Sequence, residues 1–317
     1  MLQPYNLNTV EMSAIREENG ESPEPIQVLF ALYPNMSALD FTGPLEVLNR
    51  AQHNKDDPGK GASMLYFRVA NRSRPDTKAF DCTFVAAEEH TMTLSGASFR
   101  AHINYKEAHK RLAEFDVLVV PGGEAMEIIK SKAEPLDLIE AFTQLQEKDP
   151  SHERTIFSID TGSLLLAKSQ ILQGLAATTH PDYYIKLELL CQEAATKDVG
   201  ERTDVMEGER YVVNQGRFDV GDLEDNPYVA KKGRRASSAR KGSTARKMSV
   251  SSRDAIKRRA SMRLGGMRVI TAGGSTSGLD ASLYLVSAMV SHEVAQEVSR
   301  TMQFNWIKGV VVDSIDV

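Results

Sequence analysis

Two strand-length apolar runs pass almost directly into helical sequence, with no room for the chain to double back. Thr155-Ile-Phe-Ser-Ile159 is followed at once by Thr161-Gly-Ser-Leu-Leu-Leu-Ala-Lys168, and Asp116-Val-Leu-Val-Val120 breaks at Pro121-Gly122-Gly123 before the helical stretch Pro135 to Glu147. A strand that cannot reach a hairpin partner must cross over through a helix, so these passages predict a parallel sheet covered on both faces. Other segments repeat the alternation. Ile26 to Leu32 reads as a central strand, Leu65 to Ala70 as a second strand, and Gly43-Pro44 as the opening of a helix over Leu45 to Ala51 with Pro44 in its first turn. Near the C-terminus, Arg210 to Asn214 and Arg268 to Thr271 read as two short neighbouring strands, followed by helices over Ala281 to Val290 and Glu293 to Met302.

With 317 residues, 41% of them hydrophobic, the chain is long enough for one α/β core of ordinary size. The charge is unevenly placed. Lys231 to Arg263 holds 13 Lys or Arg against the single acid Asp254, so a net charge of −5 divides into +12 there and −17 elsewhere. The acidic remainder argues against nucleic-acid binding by the folded surface. Almost free of aromatics and rich in Ser, Gly, Arg and Lys, the basic stretch cannot bury enough apolar surface to offset its chain entropy. The expected organisation is therefore a polar N-terminal tail over residues 1–24 and one domain over 25–317, interrupted at 219–265 by a disordered basic insertion.

No run approaches the apolar length of a membrane span, and the first 25 residues carry Glu11, Glu17, Glu18, Glu21 and Glu24 with no apolar stretch. The expected setting is cytoplasmic, with nuclear import through the basic stretch as the alternative. Cys82 and Cys191 are the only cysteines and read as reduced packing residues. No metal and no cofactor is expected.

Parallel sheets gather ligands beyond the carboxyl ends of their strands. Four segments end there in polar or glycine residues: Leu39 to Pro44, Val120 to Glu124, Ser158 to Ser163, and Ala272 to Gly278. Together with Gly174-Leu-Ala-Ala-Thr-Thr-His180 and in this order, the motifs Ala38-Leu-Asp-Phe-Thr-Gly-Pro44, Asp116 to Gly123, Ser158-Ile-Asp-Thr-Gly-Ser-Leu-Leu-Leu166 and Ile270-Thr-Ala-Gly-Gly274 with Ser277-Gly-Leu-Asp280 resemble the DJ-1/PfpI superfamily, and within it the branch containing isonitrile hydratase. The resemblance covers roughly residues 25–218 and 267–310. It implies a single-domain parallel-sheet sandwich of the class I glutamine amidotransferase-like type, assembled as a homodimer and acting on a small-molecule ligand such as an isocyanide.

The same resemblance implies site residues. Asp160 stands where the family's pattern has its nucleophilic cysteine on a strained strand-to-helix turn, and neither Cys82 nor Cys191 lies in a motif that replaces it. Asp40 matches an acidic residue beside that nucleophile, His180 a histidine near the pocket, and the backbone of Gly122, Gly123 and Thr161 a set of donors for developing negative charge. Two facing carboxyls resist double ionisation, so the pair is expected to share a proton, with Asp160 ionised and Asp40 protonated. Plainer roles stand beside these: Asp160 and Asp40 as helix caps, the glycine pairs as turns, Glu124 as a solvated side chain. Two functions follow, hydration of an isocyanide to an N-substituted formamide, or binding and sensing without turnover.

In the basic insertion, Arg234-Arg-Ala-Ser237 and Arg258-Arg-Ala-Ser261 repeat, and Arg246-Lys-Met-Ser249 nearly does. The pattern resembles the substrates of basophilic kinases, with a solvated loop of no regulated role as the alternative. Phosphate on all three serines would remove about 4.5–6 positive charges.

Overall fold

The computed structural model describes residues 24–53, 78–198, 202–215, 229–231 and 263–313. Its centre is built from runs that alternate strand and helix. Strand β1 (Ile26–Ala31) leads to α1 (Ala38–Arg50); β2 (Phe80–Ala86), the hairpin of β3 (His90–Met92) and β4 (Ser98–Arg100), and β5 (Ile103–Asn104) lead to α2 (Tyr105–Arg111). Strand β6 (Val117–Val120) leads to α3 (Ala125–Ser131) and α4 (Leu136–Lys148), and β7 (Thr155–Ile159) to α5 (Gly162–Lys168). Then come β8 (Ala176–Ala177), α6 (Tyr184–Asp198), β9 (Asp204–Val205), β10 (Tyr211–Gln215), β11 (Val229–Lys231), β12 (Arg268–Ala272), α7 (Ser275–Met289), α8 (His292–Thr301) and β13 (Gly309–Asp313).

Nine of these strands form one sheet in the order β11-β13-β10-β12-β7-β6-β1-β2-β5. From β5 to β12 every pairing is parallel; β10 then runs antiparallel to β12, with Tyr211 opposite Ala272. Every residue of β6, β7 and β12 is buried. That is the signature of strands covered on both faces, and it explains why their sequences are apolar without alternation. The expected fold class and the pairing of the two C-terminal strands hold.

Helix α1 begins two turns earlier than the sequence suggested, so Pro44 lies inside it and not in its first turn. Pro44 has no N–H to give the carbonyl of Asp40. The loss is outweighed by packing: Phe41, Val47 and Leu48 are buried, and a Cβ on Gly43 would sit 3.0 Å from Leu279 Cδ2 of α7. The segment Leu65 to Ala70 lies outside the described residues. Strand β2 instead pairs with β1, setting Cys82 opposite Val28 within a strand.

Most of 219–265 also lies outside the described residues, with Ser237, Ser249 and Ser261. Two pieces of it are structured, which narrows the expected insertion. Val229–Lys231 pairs parallel with β13, whose edge offers it free backbone groups. Leu264 is buried, and the Gly265 carbonyl accepts a 3.0 Å bond from Gln146 Nε2. No helix among the described residues is long and apolar enough to cross a membrane.

Candidate active site

Four strand ends converge at the carboxyl edge of the sheet, those of β1, β6, β7 and β12. The passage from β7 to α5 sets the geometry. Asp160 adopts φ 54°, the left-handed region, a cost of about 1–2 kcal/mol for a residue with a side chain. It is held there from both sides. Its N–H donates to the Ala272 carbonyl at 3.0 Å, and its carbonyl accepts from Ser163 Oγ at 3.0 Å and Thr179 Oγ1 at 3.1 Å. Gly162 must follow, because a Cβ there would lie 2.5 Å from the Val120 carbonyl oxygen.

Asp40 reaches the same place from α1. It is fully buried, and its Oδ2 accepts from the Gly122 N–H at 3.1 Å. A Cβ on Gly122 would stand 2.6 Å from Asp160 Cβ and 2.7 Å from Asp40 Oδ2. Both acids therefore border one point that only glycine leaves open. Asp40 does not cap the helix at Thr42-Gly43-Pro44, since it lies inside the first turn of α1 and bonds a different loop. Asp160 precedes the cap residue Thr161, and its carboxylate takes the Thr161 N–H at the start of α5.

The amides expected to receive negative charge are already engaged. Gly122 N–H serves Asp40, Thr161 N–H donates to Asp160 Oδ1 at 2.6 Å, and Gly123 N–H donates to Thr161 Oγ1 at 2.8 Å. The Thr161 hydroxyl in turn donates to the Gly123 carbonyl at 2.8 Å, which clamps the two loops together. His180 accepts from the Asp182 N–H at 3.3 Å through Nδ1 and is about one-third exposed. Glu124 is exposed.

Electrostatics separate these groups. Burial, and then the charge of Asp40, push the Asp160 carboxyl up to about 6, while His180 and the Thr161 N–H pull it down. Burial also raises Asp40, against the nearby Ser275 and Ser37 hydroxyls, the Gly122 amide and His180. Even so, Asp40 Oδ1 makes no hydrogen bond of good geometry. Both thiols are raised by burial, Cys82 to about 12, and so stay protonated near neutral pH. Among the described residues no cluster of three or more His, Cys, Asp or Glu is placed to hold a metal ion.

Sequence reasoning missed Tyr33, Ser37, Thr179 and Ser275. Tyr33 is buried, donates to the Pro121 carbonyl at 2.9 Å, and feels both Asp40 and Asp160. Only the position of these residues at strand ends and helix starts could have marked them.

The sequence pattern of the DJ-1/PfpI family matches residues 26–217, a span that contains Asp40, Gly122, Gly123, Asp160, Thr161 and His180. The chain belongs to the DJ-1/PfpI family. Isonitrile hydratase of Pseudomonas putida is 26% identical to it over 166 residues, 52% of this chain and 57% of that protein, so the chain spans little more than half of that relative's length. Among solved structures, Drosophila melanogaster DJ-1beta is 13% identical with a TM-score of 0.49, covering 89% of this chain and 100% of its own. A ThiJ/PfpI family protein from Pseudomonas syringae is 14% identical with a TM-score of 0.48, covering 94% and 83%. The DJ-1/PfpI match ends before β12 and α7, yet Ala272 and Ser275 complete the surroundings of the two acids.

Proposed function

We propose that this DJ-1/PfpI protein hydrates a small organic isocyanide to an N-substituted formamide, with Asp160 in the place of the family's cysteine. The supporting observation is the pair itself: an aspartate held in left-handed geometry, its carboxyl pushed to about 6, against a second and fully buried carboxyl. Such a pair holds one proton to give and one basic oxygen to receive another near neutral pH.

Protonated Asp40 gives its proton to the terminal carbon of R–N≡C. Water adds its oxygen to that same carbon and loses a proton to Asp160. The resulting R–N=CH–OH tautomerises to R–NH–CHO, and transfer of the proton from Asp160 to Asp40 restores the pair. His180 modulates the dyad from the rim, and no cofactor enters the scheme.

Purified protein with an aryl isonitrile tests this, with loss of the N≡C infrared band and formamide formation as the readout. Asp160→Asn should lower turnover by about 10²–10⁴-fold while ligand affinity persists. No formamide from the native protein would sink the enzymatic reading. One observation favours the second reading, a binding or sensing protein: the Gly122, Gly123 and Thr161 amides are all taken internally. In that case the native protein binds isonitriles without turnover, and Asp160→Cys acquires it.

We also propose that the protein is a cytoplasmic homodimer and that a basophilic kinase phosphorylates Ser237, Ser249 and Ser261. Light scattering of the native protein and radiolabelled phosphate incorporation check them.

A further inference from the structure

The carbonyl of Pro121 and the N–H of Gly122 belong to one planar peptide unit. Each end of that unit meets a side chain, one from the loop after β1 and one from α1. Tyr33 Oη donates to the Pro121 oxygen at 2.9 Å, and the Gly122 nitrogen donates to Asp40 Oδ2 at 3.1 Å. Hydrogen bonds in series polarise one another, so a donor on the carbonyl makes the N–H at the other end a stronger donor.

The peptide is closely approached on both sides, where only glycine leaves room. A Cβ on Gly162 would lie 2.9 Å from the Pro121 oxygen, and one on Gly122 would lie 2.6 Å from Asp160 Cβ. The Ser37 N–H also holds the Gly122 carbonyl at 2.8 Å. Tyr33 is fixed in its turn, because the Tyr105 hydroxyl donates to the carbonyl of the preceding Leu32 at 3.0 Å and both rings are buried.

We propose that Tyr33 is a positioning residue: through the Pro121–Gly122 peptide, its hydroxyl aims and strengthens the Gly122 hydrogen bond to Asp40 beside Asp160. It touches no substrate. The inference rests on the reading of Asp40 and Asp160 as a working pair, but not on the identity of what they act on. The groups that bear on Asp40 from the elements around it are Asp160, His180, the Ser37 and Ser275 hydroxyls and the Gly122 amide, with Tyr33 at the far end of the peptide. Glu124 and Tyr105 bear on Tyr33 itself, and burial keeps its phenol protonated so that it remains a donor.

The decisive experiment reads Asp40 without any substrate. Full-length protein carrying ¹³C-labelled aspartate is titrated by carboxyl-carbon NMR, the Asp40 signal being identified by its loss in Asp40→Asn. Tyr33→Phe removes only the hydroxyl, and should weaken the Gly122 bond to ionised Asp40, lowering its acid dissociation constant by about two- to tenfold. Site-specific 3-fluorotyrosine at position 33, a stronger donor, should move it the opposite way. Opposed shifts support the relay, since a purely packing role for the ring gives no such ordering. A titration of Asp40 unchanged in both proteins overturns it, and if Tyr33→Phe does not fold, the fluorotyrosine protein decides alone. Absence of isonitrile turnover would leave these titrations untouched, so the two readings fail separately.

Discussion

Asp40 on α1 and Asp280 on α7 are both fully buried, on helices that touch through Gly43 and Leu279, yet they are treated in opposite ways. Asp280 is saturated. Arg210 donates to its Oδ2 from Nε at 2.8 Å and from Nη2 at 2.5 Å, and the Ile307 N–H donates to Oδ1 at 2.7 Å. Burial pushes this carboxyl up, and the Ile307 and Arg210 contacts pull against it. Asp40 has the Gly122 amide on one oxygen and no well-formed hydrogen bond on the other, with another acid for a neighbour. A buried carboxylate with a cation on one oxygen and an amide on the other ties elements together; one without a cation is a place to keep a proton. The same sheet edge thus holds one buried carboxyl paired with a cation and one without, and their partners tell them apart.

The contrast breaks first at Arg210. Its replacement by Met strands the Asp280 charge, and urea denaturation should show a loss of about 3–5 kcal/mol, whereas Asp40→Asn should change stability by less than about 1 kcal/mol at pH 8. Equal losses would mean that both acids are struts.

A pH series sharpens the other side. Asp160 goes from an ordinary value near 3.8 to about 6 on folding. An acid raised in this way favours folding most below its unfolded value, and that advantage is lost as the pH climbs through its folded value. Relative to Asp160→Asn, the native protein should therefore lose up to about 3 kcal/mol between pH 4 and pH 6 and stay level above. A stability difference that does not vary with pH would show an unperturbed Asp160.

Smaller effects come from the glycines of the two helix starts. Gly162→Ala drives a methyl against the Val120 carbonyl oxygen, which backbone pairing holds in place, and should destabilise by about 1–3 kcal/mol. At Gly274, beside Arg210's end of the edge, an added Cβ meets nothing within 4 Å. Gly274→Ala should shift the denaturation midpoint by no more than about 0.5 kcal/mol's worth. Similar losses at both positions would mean that the elbow after Asp160 is not specially crowded.

Much of this arrangement is written locally. Uninterrupted apolar runs such as Val117–Val120 and Thr155–Ile159, followed by helical periodicity, dictate parallel strands buried on both faces, and strand ends rich in glycine and aspartate locate the candidate site. Those features depend on neighbours in sequence. Hairpins and edge strands as short as β3, β5 and β8 left no such trace, since two or three residues carry no readable period.

What only the tertiary structure decided is how each of those residues is partnered. Asp40 and Asp280 are alike in sequence, both acids on apolar helices, and become different because Arg210 lies 70 residues from one and Gly122 lies 82 residues from the other. The left-handed turn at Asp160, the occupied amides of Gly123 and Thr161, the early start of α1 past Pro44, and the Tyr33 contact 88 residues away are of the same kind. Burial and hydrogen bonding are settled by whatever the fold brings alongside. A carboxyl's proton affinity follows from that company and not from the residues next to it in the chain.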